Sequence, residues 1–546
     1  MEKVLNFTEY DVNGDAAYTL RRAIAAAKEA GATRLTVPKG VYDIRPDYCS
    51  ERYLCISNHG FNGPKRIAAL IEDMSDFEID FGGSTLVCHG VITPIAVLRS
   101  RNIRIRNLTL RNSSTMMLEA RVTGHGSDDT VELQPVNGRE AFVLKQGRLY
   151  AQYLEGTLVP VSTNVEFTGE GGEIEAGTAD NTFDVGAEAV TYEDLPDGRM
   201  LAHGVRRKPP IGNILVISAA RRLGAGMFCE ESTGITAENI TVNACYGMGF
   251  IAQMCGDIHL DRFSTLREEG RMHTSDADAT HFVNCSGRIT VENCTFEGQL
   301  DDALNIHGMY TRIVGKGEKE LFVRQMHEEA TGIRIYRPGD RVQALEPAPL
   351  IPYATLTVRT VEYLNNEIIR LAFEESVEEI AVGDDIENIT QEADLLFRNN
   401  IVRNNRARGM LIANRGRTVI EDCYFHTSGT AVKFESDGDY WFESGGTGDV
   451  TIRRCTFDRC KHGGWGRGVI ECQPRRAVLP DRYFHHCIRV EDNEFRMYQE
   501  CAALMDNVET FVFAGNRILS APGKRTEVIV RNNRNCTLQP DVVRAD

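Results

Sequence analysis

Three aspartates, Asp278, Asp301 and Asp302, are the side chains of this sequence best placed to do chemistry. They lie in His273-Thr-Ser-Asp-Ala-Asp-Ala-Thr-His-Phe282 and Gln299-Leu-Asp-Asp-Ala-Leu-Asn-Ile-His-Gly308. Clustered carboxylates repel, so at least one keeps its proton near neutral pH while another stays ionised. That pairing supplies a general acid and a general base, the two groups that cleavage of a glycosidic bond needs. The same acids admit two plainer readings, a solvated acidic face or a Ca2+ site. Three of them in one column with His281, His307 and Asn305 weigh toward catalysis.

The column follows from the spacing. Asp278 and Asp301 are 23 residues apart, about one coil of a solenoid, and adjacent coils sit roughly 4.8 Å apart. Alternation puts Leu304 and Ile306 inward and Asp301, Asn305 and His307 outward, with Asp278 one coil before. Strict alternation would send Asp302 into the core, where an unpaired carboxylate is heavily penalised. A bend or bulge between Asp302 and Leu304 is therefore expected, bringing both neighbouring acids to one cleft.

A recurring motif shows what holds the column. It runs from a small or polar residue through apolar-polar alternation to Asn or Asp and a further apolar residue. Examples are Asn102-Ile-Arg-Ile-Arg-Asn-Leu-Thr-Leu110, Gly234-Ile-Thr-Ala-Glu-Asn-Ile-Thr-Val242, Gly256-Asp-Ile-His-Leu-Asp-Arg-Phe263 and Gly287-Arg-Ile-Thr-Val-Glu-Asn-Cys-Thr-Phe296, with a late copy at Asp449-Val-Thr-Ile-Arg-Arg-Cys-Thr-Phe457. Periods of this size with Asn-rich corners predict an all-β, right-handed parallel β-helix of the pectin-lyase-like kind. Asp15 to Ala30 reads as an amphipathic helix that caps the first coil. Two stretches break the motif with short strands and Gly turns, which suggests two inserted domains, small antiparallel β-barrels or sheets. The expected division is 1–112 for the cap and first coils, 113–210 for the first insert and 211–312 for the central coils. The second insert then occupies 313–393 and the last coils 394–546.

Composition narrows the ligand. A formal charge of −17 argues against nucleic acid, which needs a basic footprint, and disfavours an anionic substrate such as pectin. A neutral substrate fits best. No run is long and apolar enough to cross a membrane, and Met1 to Asn6 lacks a secretory pattern, so a cytoplasmic protein is expected. The 15 cysteines show no metal-ligand spacing and read as reduced core thiols. No metal and no cofactor is expected. Trp441 and Trp465 could stack on a sugar face or lie buried. Arg408 could donate to hydroxyls, and Glu435, Asp437 and Glu443 could bind hydroxyls or merely be solvated.

At these residues the chain resembles glycoside hydrolase family 110, the exo-acting α-1,3-galactosidases of the blood-group-B-cleaving type. The matching segments are Ile56-Ser-Asn-His-Gly60, Cys88-His-Gly-Val-Ile-Thr-Pro-Ile-Ala96, Gly247-Met-Gly-Phe-Ile-Ala-Gln253, Asp276-Ala-Asp-Ala-Thr-His-Phe282, Asp301-Asp-Ala-Leu-Asn-Ile-His-Gly308, Asn405-Arg-Ala-Arg-Gly409 and Tyr440-Trp-Phe-Glu-Ser-Gly445. They span nearly the whole solenoid, whereas the inserts carry no match.

The resemblance implies a metal-free, inverting hydrolase that releases terminal α-1,3-linked galactose from an oligosaccharide or glycoconjugate. Its essential aspartates fall on Asp278, Asp301 and Asp302. By analogy with polygalacturonase-like β-helices, Asp301 would be the acid, with Asp278 and Asp302 as base. Substrate contacts are expected from His281, Asn305, His307, Gln253, Arg408, Asp437, Trp441 and Glu443. A homodimer is compatible with this reading; a nucleic-acid or membrane partner is not. After Leu110 the family usually continues with an acidic and aromatic segment, whereas this chain reads Arg111-Asn-Ser-Ser-Thr-Met-Met117, which bears on the aglycone. Rival readings are a polysaccharide lyase or another glycosidase on the same fold, and a carbohydrate-binding solenoid without catalysis.

Overall fold

The computed structural model describes residues 3–60, 62–126, 129–139, 141–153, 156–181, 190–219 and 221–545. Two long faces of parallel strands run the length of the molecule. One stacks Ser75–Cys88, Arg101–Asn112, Thr233–Val242, Gly256–Thr265, Ser286–Glu292, Ala393–Arg398 and five later strands in order. The other stacks Thr93–Leu98, Met227–Glu230, Phe250–Gln253, Thr280–Val283, the start of Leu304–Lys316, Met410–Ile412 and Val432–Phe434, and then continues to the end. This is the parallel β-helix that the recurring motif implies.

Coil-to-coil repetition of residue type holds the stack together. Phe296, Phe397, Phe425, Phe457, Phe495 and Phe513 occupy successive coils, with ring centroids 4.8–6.3 Å apart. Each ring buries its faces against the next, so the core is a continuous column. At the corners Asn102, Asn107, Asn239, Asn293 and Asn399 adopt left-handed backbone. Asn tolerates that geometry, and the side chains bond between coils, as Asn239 does to Asn107 at 2.9 Å. All fifteen cysteines are unpaired thiols, most of them buried.

The helix Ala16–Ala30 starts on the Asp15 side chain, which accepts from the Tyr18 amide. It ends at Gly31 in left-handed conformation and buries Leu20, Ala23, Ile24 and Ala27 against the first coils. Two antiparallel units leave the helix. Between Met117 and Ser218 a six-stranded and a three-stranded sheet fold on one core. The second unit grows directly from Leu304–Lys316, which runs past the coil and pairs with Glu320–Gln325 and Asp385–Asn388. Ile368–Phe373, Pro352–Tyr363 and Arg341–Leu345 complete a closed six-stranded barrel. The strand that bears Asn305 and His307 is thus also the root of that barrel. Among the described residues no helix is long and apolar enough to cross a membrane.

Candidate functional site

Register fixes the floor of the site. Thr280 pairs with Leu304 and His281 with Asn305, and Leu304 pairs in turn with Met410. Asp278, Asp302 and Arg408 therefore sit level on three consecutive coils, a spacing of 24 residues for the first step rather than the 23 that would align Asp278 with Asp301. The expected break in alternation lies here: residues 301–303 form a bend before the strand begins at Leu304. The Ala279 amide donates to the Asp302 carbonyl at 2.8 Å, and the Asp302 amide donates to Asp278 Oδ1 at 3.1 Å. Asp301 and Asp302 then reach the same cleft of roughly 520 Å3 as Asp278. One oxygen from each acid lies within 4.8 Å of the other two.

Three guanidinium groups converge on this cluster. Arg222 donates to Asp301 Oδ2 at 3.2 Å, while Arg406 and Arg408 approach Oδ1 at 3.1 and 3.5 Å. Arg408 Nε also donates to Asp302 Oδ1 at 2.8 Å. Ala407, between the two arginines, has a left-handed backbone (φ 62°), unusual for a residue with a Cβ, and this turn lets both side chains address one carboxylate. Arg406 is braced from behind by Asp180 of the first insert at 2.6 Å. Guanidinium groups thus supply beside these acids the positive charge that a cation would otherwise bring.

The charges separate the three acids. Burial works to raise the pKa of Asp301, but Arg406, Arg408 and Arg222 overrule it and hold the carboxyl below its ordinary value. Asp278 is pushed up to about 8, by burial first and then by the charge of Asp301, with Arg222 opposing. Burial raises Asp302 well above the ordinary range against the pull of Arg408, and its Oδ2 has no protein partner. Asp276, also in the cleft, is raised to about 6 by burial. The surroundings thus favour the ionised form of Asp301 and the protonated forms of Asp278 and Asp302, the reverse of the acid and base split that the resemblance implies.

Asn305, Arg408, Trp441 and Glu443 line the cleft with the aspartates, as does Asp437. The oxygens of Asp437 are occupied, however, accepting from the amides of Asp439, Tyr440 and Trp441 at 2.8–3.2 Å. It shapes the loop that presents Trp441. His281, His307 and Gln253 do not line the cleft, a correction to the expected substrate contacts. Gln253 is fully buried and spends its amide on the Ser57 amide, the Cys55 carbonyl and Glu230. The two imidazoles form a layer behind Asp278, which approaches His281 Nδ1 at 2.6 Å. Alternation turns His307 outward, as expected, but Glu443, which accepts from the Asn58 side chain, lies over it.

Sequence reading missed Arg222, Arg406, Asp276, Asn58 and Glu329, all of which line the cleft. Arg406 had a signal, since Arg-x-Arg around a tight turn can aim two guanidinium groups at one acid. Arg222 had none, because it stands in the irregular return from the first insert. Trp441 packs on His327 with centroids 4.4 Å apart and lies beside Arg222, while Trp465 lies beside Arg406, so the two indoles of the cleft attend different arginines of Asp301.

Residues 380–539 match the family model for a right-handed β-helix region, and residues 320–386 match that of GLAA-B β-barrel domain II. Over 95% of its length the chain is 29% identical to α-1,3-galactosidase B of Bacteroides fragilis, covering 91% of that protein. It is 27% identical to α-1,3-galactosidase A of Shewanella woodyi, covering 95% of this chain and 86% of that one. Among solved structures, a family 28 exopolygalacturonase of Yersinia enterocolitica aligns with 99% of this chain and 79% of its own, at 10% identity and a TM-score of 0.39. The catalytic domain of a GH87 α-1,3-glucanase with nigerose aligns at 10% identity and a TM-score of 0.39, covering 100% of this chain and 68% of that one.

Proposed function

We infer that this chain, a homologue of the α-1,3-galactosidases along nearly its whole length, is a glycoside hydrolase that removes terminal α-1,3-linked galactose from a glycan. The observation that carries the reading is a buried aspartate trio, with an oxygen of each acid within 4.8 Å of the other two, at the floor of a cleft lined by two indoles. Charges of both signs alternate round this cleft and largely satisfy one another, which suits a neutral, hydroxyl-rich ligand. A lyase acting on uronates would need free cationic groups for the substrate carboxylate, and here the three arginines are committed to aspartates.

Asp302 is the general acid in this reading. Its proton is retained, and the unpartnered Oδ2 can give it to the departing glycosidic oxygen. Asp301 is the base that draws a proton from the attacking water. Guanidinium groups lie against both Asp301 oxygens and fix the carboxylate in place; in this reading it orients a water for direct attack, with inversion at the anomeric carbon. The acids stand closer together than the roughly 6.5–9.5 Å that leaves room for water between opposed carboxyls. The attacking water must therefore sit beside the cluster, not between two facing acids.

The test is incubation with Gal-α1,3-Gal, followed by NMR of the first product. Free galactose appearing initially as the β-anomer is expected. Initial α-galactose would overturn inversion, and failure to release galactose would overturn the function.

A further inference from the structure

We propose that His281 and His307 form a buried proton relay joining Asp278 to Glu443, coupling the proton of the catalytic cluster to a carboxylate in the sugar-binding wall. The proposal rests on the hydrolase reading and goes beyond it by giving a task to two imidazoles that touch no substrate.

Hydrogen-bond accounting carries the argument. His307 Nδ1 stands 2.6 Å from the Gly308 carbonyl oxygen, which can only accept, so Nδ1 bears a hydrogen. His307 Nε2 stands 3.0 Å from His281 Nε2, and one proton must lie between them. His281 Nδ1 in turn meets Asp278 Oδ2 at 2.6 Å. Two arrangements of the same protons satisfy these three contacts, and only the second also gives the His307 Nε2 that faces Glu443 a hydrogen. In the first, Asp278 is the donor to His281 Nδ1, and His281 Nε2–H donates to a neutral His307. In the second, the Asp278 O–H bond has broken and His281 has gained a proton at Nδ1. His281 has passed its Nε2 proton to His307, now an imidazolium 3.4 Å from the Glu443 carboxylate. Protons balance and no electrons transfer.

The surroundings keep both states in reach. The groups facing His281 include Arg222 and Asp301, of opposite sign, and the buried His59. The Glu443 carboxyl lies below its ordinary pKa: burial opposes this, but charge on His307 or His281, the Arg408 guanidinium and the Asn58 amide outweigh it. The Asn58 side chain donates to Glu443 at 3.1 Å. A sugar hydroxyl that donates to Glu443 weakens its hold on an imidazolium and so favours the first arrangement, with the proton on Asp278. Substrate binding thereby sets the charge of the cluster.

Replacement of each histidine by glutamine keeps a donor and an acceptor but cannot pass a proton. His281→Gln and His307→Gln should each lose at least about tenfold in kcat, with KM within a few-fold and folding intact. The solvent-deuterium proton inventory should change from curved in the parent to linear in the variants. Unchanged kcat in folded variants, or an inventory that stays as in the parent, would overturn the relay while leaving the hydrolase reading intact. Nitrogen-15 NMR of the unliganded protein provides a readout independent of turnover. One downfield proton coupled to both Nε2 atoms is expected, and two bare or two protonated Nε2 atoms would sink the proposal even if no glycoside is cleaved.

Discussion

Asp278 and Asp301 carry the same side chain and stand within a few ångströms of each other, yet their pKa values move in opposite directions, because burial and the charge of Asp301 raise Asp278 while three guanidinium groups converge on Asp301. This difference has a stability signature. In the unfolded chain Asp278 titrates near 3.9, whereas in the fold its pKa is held up to about 8. Below pH 4 both states carry the proton and the position costs nothing through linkage. As pH rises, the unfolded chain sheds its proton first, so the folded state loses stability until about pH 8. Asn mimics the protonated acid, donating to His281 Nδ1 and accepting from the Asp302 amide. Asp278→Asn should therefore stabilise the protein by about 1 kcal/mol at pH 7, with the gain fading near pH 4 and activity largely lost. Denaturant melts at the two pH values would measure this; destabilisation at pH 7 would mean that Asp278 is ionised in the fold.

The acid and base roles separate by leaving group. A sugar alkoxide needs protonation to depart, whereas nitrophenolate scarcely does. Asp302→Asn should lose at least tenfold more on the disaccharide than on the nitrophenyl galactoside. Asp301→Asn should lose comparable factors on both, because water attack is common to the two substrates. The reverse pattern would restore the split that the family analogy implied. The trio itself was legible from its spacing and from the company of Asn305. The charge states were not, since they depend on Arg222, which reaches the cluster from an irregular segment with no periodicity.

At the scale of elements, coils pack so closely that the turn bearing the arginines leaves no room for a side chain. A Cβ on Gly409 would stand 2.4 Å from the Ala431 carbonyl oxygen, while the Gly409 amide and carbonyl bond to Thr430 and Ala303 on the flanking coils. Gly409→Ala must push backbone against backbone. A loss of about 1–3 kcal/mol is expected, together with a fall in kcat as Arg408 shifts from Asp302. A variant with parental melting temperature and activity would show that the coil spacing yields freely. The β-helix was legible because alternating apolar residues and corner Asn or Asp return from coil to coil. The single-residue error in register arose at the bend over 301–303, where alternation stops and counting along the chain no longer tracks position in space. The strand order within the inserts was illegible for a related reason: antiparallel pairing among short, unrepeated strands leaves no periodic trace.

At the scale of the molecule, a bare parallel β-helix offers an open groove, suited to a long chain lying across its coils, and the two inserts change that. The first contributes Thr163 and Val165 to one wall and braces Arg406 through Asp180. The second contributes Glu329, and His327 beside it packs on Trp441. The Glu329 carbonyl accepts from the Asn58 amide at 2.9 Å, which ties the barrel to the rim of the site. With residues of both inserts in its walls, the cleft is expected to receive the end of a glycan at Asp302, and exo action is the prediction that this geometry makes. On an oligosaccharide labelled at its reducing end and carrying α-galactose at its tip and also internally, the first labelled product should be exactly one residue shorter. Galactose should be the only unlabelled sugar released. Early internal fragments would mean that a chain can thread between the inserts, and the walls would then have to be read as a channel.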